Sequence, residues 1–249
     1  MLDKSSYLAE RPPMEKHDSP TDTRDLLSIE RLHQSWPDQA EALFDIEHVS
    51  WSAGQHVWLQ GANGSGKTTF MRLLSGLEPV QQGRIDLFKK RSGAEEPRIC
   101  YLHQTPYLFA GSVERNLQFV IRSLASAQRP AARVALDLGL QLAGLEGLRH
   151  QDAVTLSGGE RQRLALLRAW LLQPDILLLD EPAANLDDDS VVLMHRLVTD
   201  LIEKGASIMV SSHQKNLLTK LCNTRWLIAS GTLTASSLEA AASLRCRPA

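Results

Sequence analysis

The sequence predicts an α/β fold with a mostly parallel β-sheet core, an antiparallel β subdomain and an inserted α-helical subdomain. Two segments between residues 26 and 51, LLSIERL and LFDIEHVSW, alternate apolar and polar residues as half-buried antiparallel strands do. Further along the chain, short buried runs alternate with helical segments, which is the pattern of a parallel sheet covered on both faces. These runs are HVWLQ (56–60), RICYL (98–102), ILLLD (176–180), SIMVS (207–211) and RWLIA (225–229).

The chain divides into three predicted parts. Residues 1–25 mix charges with prolines and offer little apolar surface to bury, so we expect a disordered N-terminal tail. Residues 26–235 are expected to form one domain. Its helical subdomain is placed at about 112–170, where the sequence is rich in Leu, Ala and Arg and has no convincing strand. Residues 236–249 are expected to form a short C-terminal helix or tail, too short for an additional regulatory domain.

Composition narrows the functional classes. Hydrophobic residues make up 43% and charged residues 22%, as in ordinary globular proteins. A net charge of -2 gives no reason to expect a nucleic-acid partner, because phosphate-backbone binding needs clustered Lys and Arg. The 3 cysteines lack metal-ligand spacing, so we expect reduced thiols in a cytosolic protein. The sequence shows no signal peptide and no run of about 20 apolar residues, so any membrane role requires a partner.

A glycine-rich loop follows the strand at 56–60 and precedes a helix. It fits the pattern G-x-x-x-x-G-K-[ST], whose backbone N–H groups and helix N-terminus can wrap around phosphate oxygens. Lys67 is expected to reach the β and γ phosphates, and Thr68 to ligate Mg²⁺. A chance glycine-rich turn is the alternative. The predicted nucleotide-binding residues of this loop are Gly61, Ala62, Asn63, Gly64, Ser65, Gly66, Lys67, Thr68 and Thr69.

Two acids follow the apolar run 176–179. A buried strand can end in Asp for structural reasons alone, but beside a phosphate loop the pair suggests chemistry. We expect Asp180, at the carboxyl end of a strand neighbouring the loop, to face Mg²⁺. Glu181 is expected to accept a proton from attacking water.

A second glycine-bearing loop, at Ser157, Gly158 and Gly159, leads into a helix and offers a second anion site. An ordinary helix start capped by Ser157 is the alternative interpretation. LSGGERQR (156–163) followed by ILLLDEP (176–182) closely resembles the signature and Walker B motifs of ABC ATPases. The resemblance implies that the signature loop binds the γ-phosphate of ATP held by another subunit, so that the working enzyme is a head-to-tail dimer.

Other family elements appear in the family's order over about residues 25–232. Gln104 matches the Q-loop glutamine, which the resemblance implies touches Mg²⁺ and faces the transmembrane partner. Asp187, in Asn185-Leu-Asp187, resembles the D-loop at the dimer interface. His213 matches the switch histidine that contacts the γ-phosphate, although a histidine after a strand is usually a satisfied polar residue. The catalytic set implied is Glu181, His213, Lys67 and Gln104, and the metal set Thr68, Gln104 and Asp180.

Trp36 falls where the family carries an aromatic residue that stacks on adenine, and its flat π face suits a purine. A core anchor is the alternative for this side chain. Departures from the family are small. The stretch Ala183-Ala184-Asn185 replaces the more usual Thr-Ser-Ala, which removes no catalytic group but leaves interface detail open.

The resemblance implies the ATP-binding subunit of an ABC transporter, which hydrolyses Mg-ATP to drive separate integral membrane permease subunits. It places the subunit in the cytoplasm, peripheral on the cytoplasmic face of the inner (plasma) membrane, with a substrate-binding protein as a further partner. Three rivals remain: a soluble ABC ATPase of DNA repair or translation, an inactive nucleotide-binding regulatory module and a phosphate-loop kinase. The stretch 106–117 resembles small importer ATPases, some serving oxyanions such as tungstate, and also exporters. We favour import and name no cargo.

Overall fold

Nine β-strands form two sheets in the described part of the chain, residues 25–36, 42–88 and 97–238 of the computed structural model. Most of the predicted N-terminal tail and residues 239–249 of the predicted C-terminal helix or tail lie outside the described residues. The strands are β1 (Asp25–Gln34), β2 (Phe44–Ser52), β3 (Val57–Gly61), β4 (Gln82–Leu87), β5 (Ile99–Leu102), β6 (Ile176–Asp180), β7 (Ser207–Ser211), β8 (Thr224–Ala229) and β9 (Thr232–Ser237).

The smaller sheet is antiparallel, with strand order β2-β1-β4. The larger sheet has the order β5-β6-β7-β3-β8-β9, and it is parallel except for the β8–β9 hairpin. The predicted mostly parallel core and antiparallel β subdomain are therefore confirmed. Strands β4 and β9 were not predicted. Their side chains are largely exposed or half-buried, so they lack the apolar signal of a core strand. Strand β9 includes Ser236 and Ser237, the start of the predicted C-terminal helix or tail.

In the same described ranges, five α-helices accompany the sheets: α1 (Lys67–Leu74), α2 (Val113–Ser123), α3 (Arg129–Ala143), α4 (Gly158–Leu172) and α5 (Asp188–Glu203). Between β5 and β6 the chain forms α2, α3, α4 and the short 3-10 turns Glu146–Leu148 and Ala153–Thr155, with no strand in this stretch. A third 3-10 turn, Thr219–Leu221, precedes β8. Among the described residues, no helix is long and apolar enough to span a membrane.

Strand β6 is buried on both faces and separates two hydrophobic clusters. Ile176 and Leu178 face a cluster between the two sheets and α1, which includes Trp226. Leu177 and Leu179 face a second cluster against the helices, which includes Trp170. Burying both faces explains why this strand reads as a continuous apolar run rather than an alternating one. The strand ends in Asp180, so two packed cores fix the position of the acid.

Candidate functional site

The phosphate loop joins β3 to α1 and needs its glycines for two physical reasons. Gly64 and Gly66 have φ values of 78° and 91°, a left-handed conformation that side chains rarely adopt. A Cβ atom on Gly66 would also lie 2.6 Å from the ring of Phe44. The loop therefore turns tightly under the start of β2, and the exposed N–H groups at the start of α1 can bind anions.

Lys67, the first residue of α1, folds back over this loop. Its Nζ donates to the carbonyl oxygens of Gly61 and Ala62 at 3.0 and 3.1 Å, and it lies 3.2 Å from His213 Nε2. Burial lowers the pKa of Lys67, and the charges of Glu181 and Asp180 act in the opposite direction. The groups that contact this buried ammonium, two carbonyl oxygens and an imidazole, carry no negative charge. A bound phosphate would supply that charge and would stabilise the ammonium strongly.

Asp180 is the best-connected acid of the site. Thr68 and Tyr101 donate their hydroxyl groups to its Oδ2 at 2.8 and 3.0 Å, and Ser211 donates to its Oδ1 at 2.6 Å. The side chain is buried, and an ionised carboxylate can accept all three bonds. Thr68 and Asp180 together present hard oxygen ligands, which fit Mg²⁺ and its habit of binding one or two carboxylates plus phosphates.

The predicted location of this acid needs one correction. We expected Asp180 on a strand neighbouring the phosphate-loop strand, but β7 lies between β3 and β6. The contact between Thr68 and Asp180 forms nevertheless, because α1 starts above the carboxyl edge of the sheet. Neighbouring elements at this edge, rather than directly paired strands, bring the groups together.

Glu181 follows β6 in a left-handed conformation with φ of 45°, which is uncommon for a residue other than glycine. Its backbone N–H donates to Ser211 Oγ at 2.9 Å. Its Oε1 lies 3.3 Å from His213 Nε2 and, among the described residues, accepts no hydrogen bond of good geometry. Burial raises the pKa of Glu181, while the nearby His213 and Lys67 lower it. A carboxylate oxygen that accepts no hydrogen bond from the protein can accept a proton from water.

Gln104 lies two residues beyond β5 with an exposed side chain, which joins none of the hydrogen bonds of the Lys67 and Asp180 cluster among the described residues. Its backbone carbonyl accepts a hydrogen bond from Gln162 Nε2 on α4. This bond attaches the loop after β5 to the helix that starts at the signature. The loop and α4 are thus mechanically linked.

The signature residues form a separate group. Ser157 caps α4 in a reciprocal arrangement with Glu160, so the cap that was the alternative interpretation does exist. A Cβ atom on Gly159 would collide with the side chain of Ser190 on α5. Asp187 caps α5 and accepts from Ser190 N–H at 2.6 Å, and these hydrogen bonds lower the pKa of Asp187. Within the described residues, neither Ser157 nor Asp187 forms a hydrogen bond with Lys67.

Trp36 lies two residues beyond Gln34, the last residue of β1. Gln34 pairs with Phe44, and the ring of Phe44 packs against Gly66, so this end of the β1–β2 pair reaches the phosphate loop. The indole is 40% exposed. Its exposure disfavours the alternative of a core anchor and leaves a ring face available for stacking.

Two residues of the cluster were absent from the sequence-based site, Tyr101 and Ser211. Both lie on strands that flank β6, and Ser211 is the direct cross-strand partner of Asp180. A polar residue at the carboxyl end of each flanking strand is the signal that could have revealed them.

A buried lysine and an Mg²⁺-compatible Thr–Asp pair, gathered on a glycine-rich loop between a strand and a helix, define the class as a P-loop nucleoside triphosphatase. Comparison with known proteins then gives the family. The profile of the ABC transporter family matches residues 45–184, more than half of the chain, and the chain belongs to this family.

Named relatives agree with this assignment. The cytochrome c biogenesis ATP-binding export protein CcmA of Xanthomonas axonopodis pv. citri is 37% identical over 168 residues, covering 65% of this chain and 75% of the relative. The tungstate uptake system ATP-binding protein TupC of Peptoclostridium acidaminophilum is 27% identical over 206 residues, covering 82% and 95%. A solved structure described as an ATP-binding subunit of an ABC transporter has a TM-score of 0.74 at 23% identity, covering 90% of this chain and 95% of that one, and shows the same fold.

The chain is therefore the ATP-binding subunit of an ABC transporter and an ATPase coupled to transport. Its named relatives are transporter subunits rather than factors of DNA repair or translation, so the soluble alternative is not supported.

Proposed function

We propose that this ATPase binds Mg-ATP on its phosphate loop and hydrolyses it with Glu181 as the base, within a head-to-tail dimer. The observation that carries the proposal is the meeting of Lys67, Glu181 and His213, with His213 Nε2 3.2 Å from Lys67 Nζ and 3.3 Å from Glu181 Oε1. One imidazole nitrogen therefore lies close both to a cation for the γ-phosphate and to a carboxylate that can accept a proton from water.

Phosphate binding is assigned to the loop from Gly61 to Thr69. In the described structure Lys67 Nζ is bound to two loop carbonyls at 3.0 and 3.1 Å, so its ammonium group has to exchange these neutral partners for phosphate oxygens. Charge-assisted bonds to phosphate are stronger than bonds to carbonyls, so the exchange is favourable. Trp36 is assigned to the adenine ring.

Thr68 and Asp180 are assigned to Mg²⁺, with Gln104 as a further ligand from the loop after β5. When bound, the ion neutralises charge that develops on the transferred phosphoryl group. The chain's own contribution is to hold the Thr68 hydroxyl and the Asp180 carboxylate 2.8 Å apart. Preorganisation of this kind reduces the rearrangement needed during the reaction.

Water activation is assigned to Glu181. Burial raises its pKa, which makes the carboxylate a better proton acceptor than an exposed glutamate. His213 is assigned to the γ-phosphate and to holding Glu181 in place. The second role requires its contact with Glu181 to survive when the nucleotide binds.

The second anion site, Ser157 to Gly159 with Asp187 behind it, is assigned to the ATP of another subunit. Ser157 and Gly158 are exposed, and apart from the chain neighbours and the helix backbone of Gly158, no atom of the described residues lies within 4 Å of a Cβ built on it. Open space beside exposed N–H groups suits a partner's phosphate. The partner is a second copy of this chain or a paired ABC subunit.

The membrane partner is proposed to dock beside Gln104 and the helical region. Tyr107, Phe109 and Phe119 form an aromatic surface there. Tyr107 is 77% exposed and Phe119 is 53% exposed. The ring centroids of Phe109 and Phe119 are 4.2 Å apart. Exposed apolar patches of this kind mark protein interfaces. We propose a permease as the occupant, on the cytoplasmic face of the membrane. Copurification of a permease from detergent-solubilised membranes tests this, and recovery of the chain without one contradicts it.

Import is proposed as the direction, with a substrate-binding protein as a further partner. The relative named for uptake aligns with 82% of this chain, and the relative named for export with 65%. Recovery of a substrate-binding protein with the permease complex supports import. A complex that moves cargo outward in reconstituted vesicles contradicts it.

The test of the chemistry compares Lys67→Ala, Glu181→Gln and wild type. We expect each variant to lose ATPase activity by tenfold or more, roughly the effect of removing a positioned acid–base or charge-stabilising group. Glu181→Gln keeps every phosphate-binding group and is expected to bind ATP as wild type does. Steady-state hydrolysis and equilibrium binding of a fluorescent ATP analogue separate the two effects. Wild-type hydrolysis by Glu181→Gln would show that another group activates water.

A further inference from the structure

Ser211 connects the two acids at the end of β6 through one hydroxyl group. Its Oγ donates to Asp180 Oδ1 at 2.6 Å and accepts from the backbone N–H of Glu181 at 2.9 Å. A hydroxyl has one donor and two acceptor positions, so both bonds form together. Ser211 is 0% and Asp180 3% exposed, so water is in no position to replace the serine.

The orientation of the Asp180 carboxylate depends on this serine. Its Oδ2 has two donors, Thr68 and Tyr101, whereas its Oδ1 accepts from Ser211. Without Ser211 the carboxylate keeps its two donors at Oδ2 but has lost the bond that holds Oδ1, so its rotation about the Cβ–Cγ bond is less restrained. The orientation of both oxygens towards Mg²⁺ is then less well defined.

The backbone of Glu181 depends on the same group. Its φ of 45° is a left-handed conformation that costs free energy for any residue with a Cβ atom. Such conformations persist where surrounding contacts hold them, and the bond from Glu181 N–H to Ser211 Oγ is one such contact. The direction of the Glu181 side chain follows from this backbone conformation.

We propose that Ser211 is a positioning residue for hydrolysis, which sets the Asp180 carboxylate and the Glu181 backbone together. The inference rests on the proposed roles of Asp180 in Mg²⁺ binding and Glu181 in water activation. It deepens that function by making one side chain on β7 responsible for aligning both. Removal of the hydroxyl changes metal binding and turnover at once, while phosphate binding by Lys67 is unaffected.

The experiment compares Ser211→Ala with Ser207→Ala in the full chain. Ser207 is a matched control, since it is a fully buried serine at the opposite end of the same strand and its hydroxyl accepts from Gly54 N–H at 3.1 Å. For Ser211→Ala we expect turnover to fall about tenfold and the Mg²⁺ concentration for half-maximal activity to rise by a similar factor, as for other groups that orient metal ligands. Ser207→Ala is expected to match wild type in both.

Metal binding is also measured without turnover, by paramagnetic resonance of Mn²⁺ added with a non-hydrolysable ATP analogue. We expect weaker Mn²⁺ binding by Ser211→Ala and unchanged binding of the analogue in EDTA. Wild-type Mn²⁺ affinity and turnover for Ser211→Ala would overturn the inference, as would an equal loss in Ser207→Ala. If Ser211→Ala does not fold, Ser211→Cys retains the volume with a weaker donor, and wild-type Mn²⁺ affinity in that variant overturns it equally.

The Glu181→Gln variant separates failure of this inference from failure of the proposed function. Wild-type hydrolysis by Glu181→Gln defeats the assignment of the base, whatever Ser211→Ala does. Loss of hydrolysis in Glu181→Gln with a fully normal Ser211→Ala defeats the positioning role alone.

Discussion

Trp36 provides the sharpest prediction at the scale of single residues. Trp36 follows Gln34 by two residues in the sequence. Gln34 pairs with Phe44, and the ring of Phe44 packs against Gly66 of the phosphate loop. We expect Trp36→Ala to weaken ATP binding by about 1 kcal/mol, the scale of an aromatic stacking contact, and Trp36→Phe to weaken it less. Titration of a fluorescent ATP analogue against the three proteins measures the difference.

The same titration with a triphosphate that has no base serves as its control. All three proteins should bind inorganic triphosphate equally, because Lys67 and the loop amides are unchanged. If wild type, Trp36→Ala and Trp36→Phe bound ATP with equal affinity, Trp36 would have a structural role and would not stack on adenine.

Site residues could be predicted from the sequence where they are adjacent in the chain and form a motif. Site residues that come together only in the folded structure could not be predicted. Lys67 and Thr68 stand within one loop, so spacing alone assigns them. Tyr101 and Ser211 reach Asp180 from separate strands, and their contact depends on the order β5-β6-β7. Strand order is set by long-range packing, which local sequence does not encode.

At the scale of elements, the start of α5 illustrates how a cap serves both stability and the site. Asp187 accepts from Ser190 N–H at 2.6 Å, and two further acids occupy the first helical turn. Negative charge at a helix N-terminus is favourable, and a capping oxygen satisfies an N–H group that otherwise has no partner. The residue therefore stabilises α5 before it takes part in any subunit contact.

We expect Asp187→Ala to lower the melting temperature of the nucleotide-free chain, whereas Asp187→Asn keeps a capping oxygen and loses less. Hydrogen bonds from Ser190 lower the pKa of Asp187 below its ordinary value of 3.8. Because the folded-state pKa is depressed, the extra stability of the ionised form is present above pH 3.8 and is lost as the pH falls through the lower folded value.

Thermal unfolding of wild type and Asp187→Asn as a function of pH measures this contribution, because all other carboxylates cancel in the difference. The advantage of wild type should shrink towards the acid end of the series. An advantage that is constant with pH would mean that the charge of Asp187 contributes nothing.

Elements were predictable from the sequence where burial is complete or alternates cleanly. The run 176–180 is buried on both faces and β2 alternates, so both patterns could be recognised. In β1 the expected alternation is wrong for residues 26–29, which are all buried because this strand lies in the middle of the smaller sheet and packs into the core. Strand β4 pairs only with β1 in the smaller sheet and has no fully buried residue, so its stability comes from pairing rather than from its own apolar pattern. Context of this kind overrides local propensity.

At the scale of the whole molecule, the two anion sites belong to different parts of the chain. The phosphate loop is built on β3 and α1, whereas Ser157 starts α4 after the long helical insertion. Gly159 and Asp187 both lie against Ser190, and among the described residues neither contacts Lys67. A nucleotide bound to the phosphate loop of one subunit is therefore not contacted by the signature loop of that same subunit.

Hydrolysis should accordingly require a head-to-tail dimer. We expect Ser157→Arg to leave ATP binding at Lys67 nearly intact but to abolish the ATP-induced dimer, because bulk and charge replace a small exposed side chain where a partner's phosphate approaches. Light scattering with and without ATP, in the Glu181→Gln background that holds the nucleotide, measures dimer formation.

Complementation tests whether the two loops act across subunits. Ser157→Arg lacks the signature side of each site, and Lys67→Ala lacks the phosphate-loop side, so neither variant alone has a complete site. A mixed dimer has one complete site, formed by Lys67 of one subunit and Ser157 of the other. Because at most one of the two sites in any dimer is complete, mixing should restore ATPase activity well above that of either variant alone, up to about half that of wild type in a symmetric head-to-tail dimer. A mixture as inactive as its components, or full ATPase activity in a strictly monomeric protein at high dilution, would contradict the shared site.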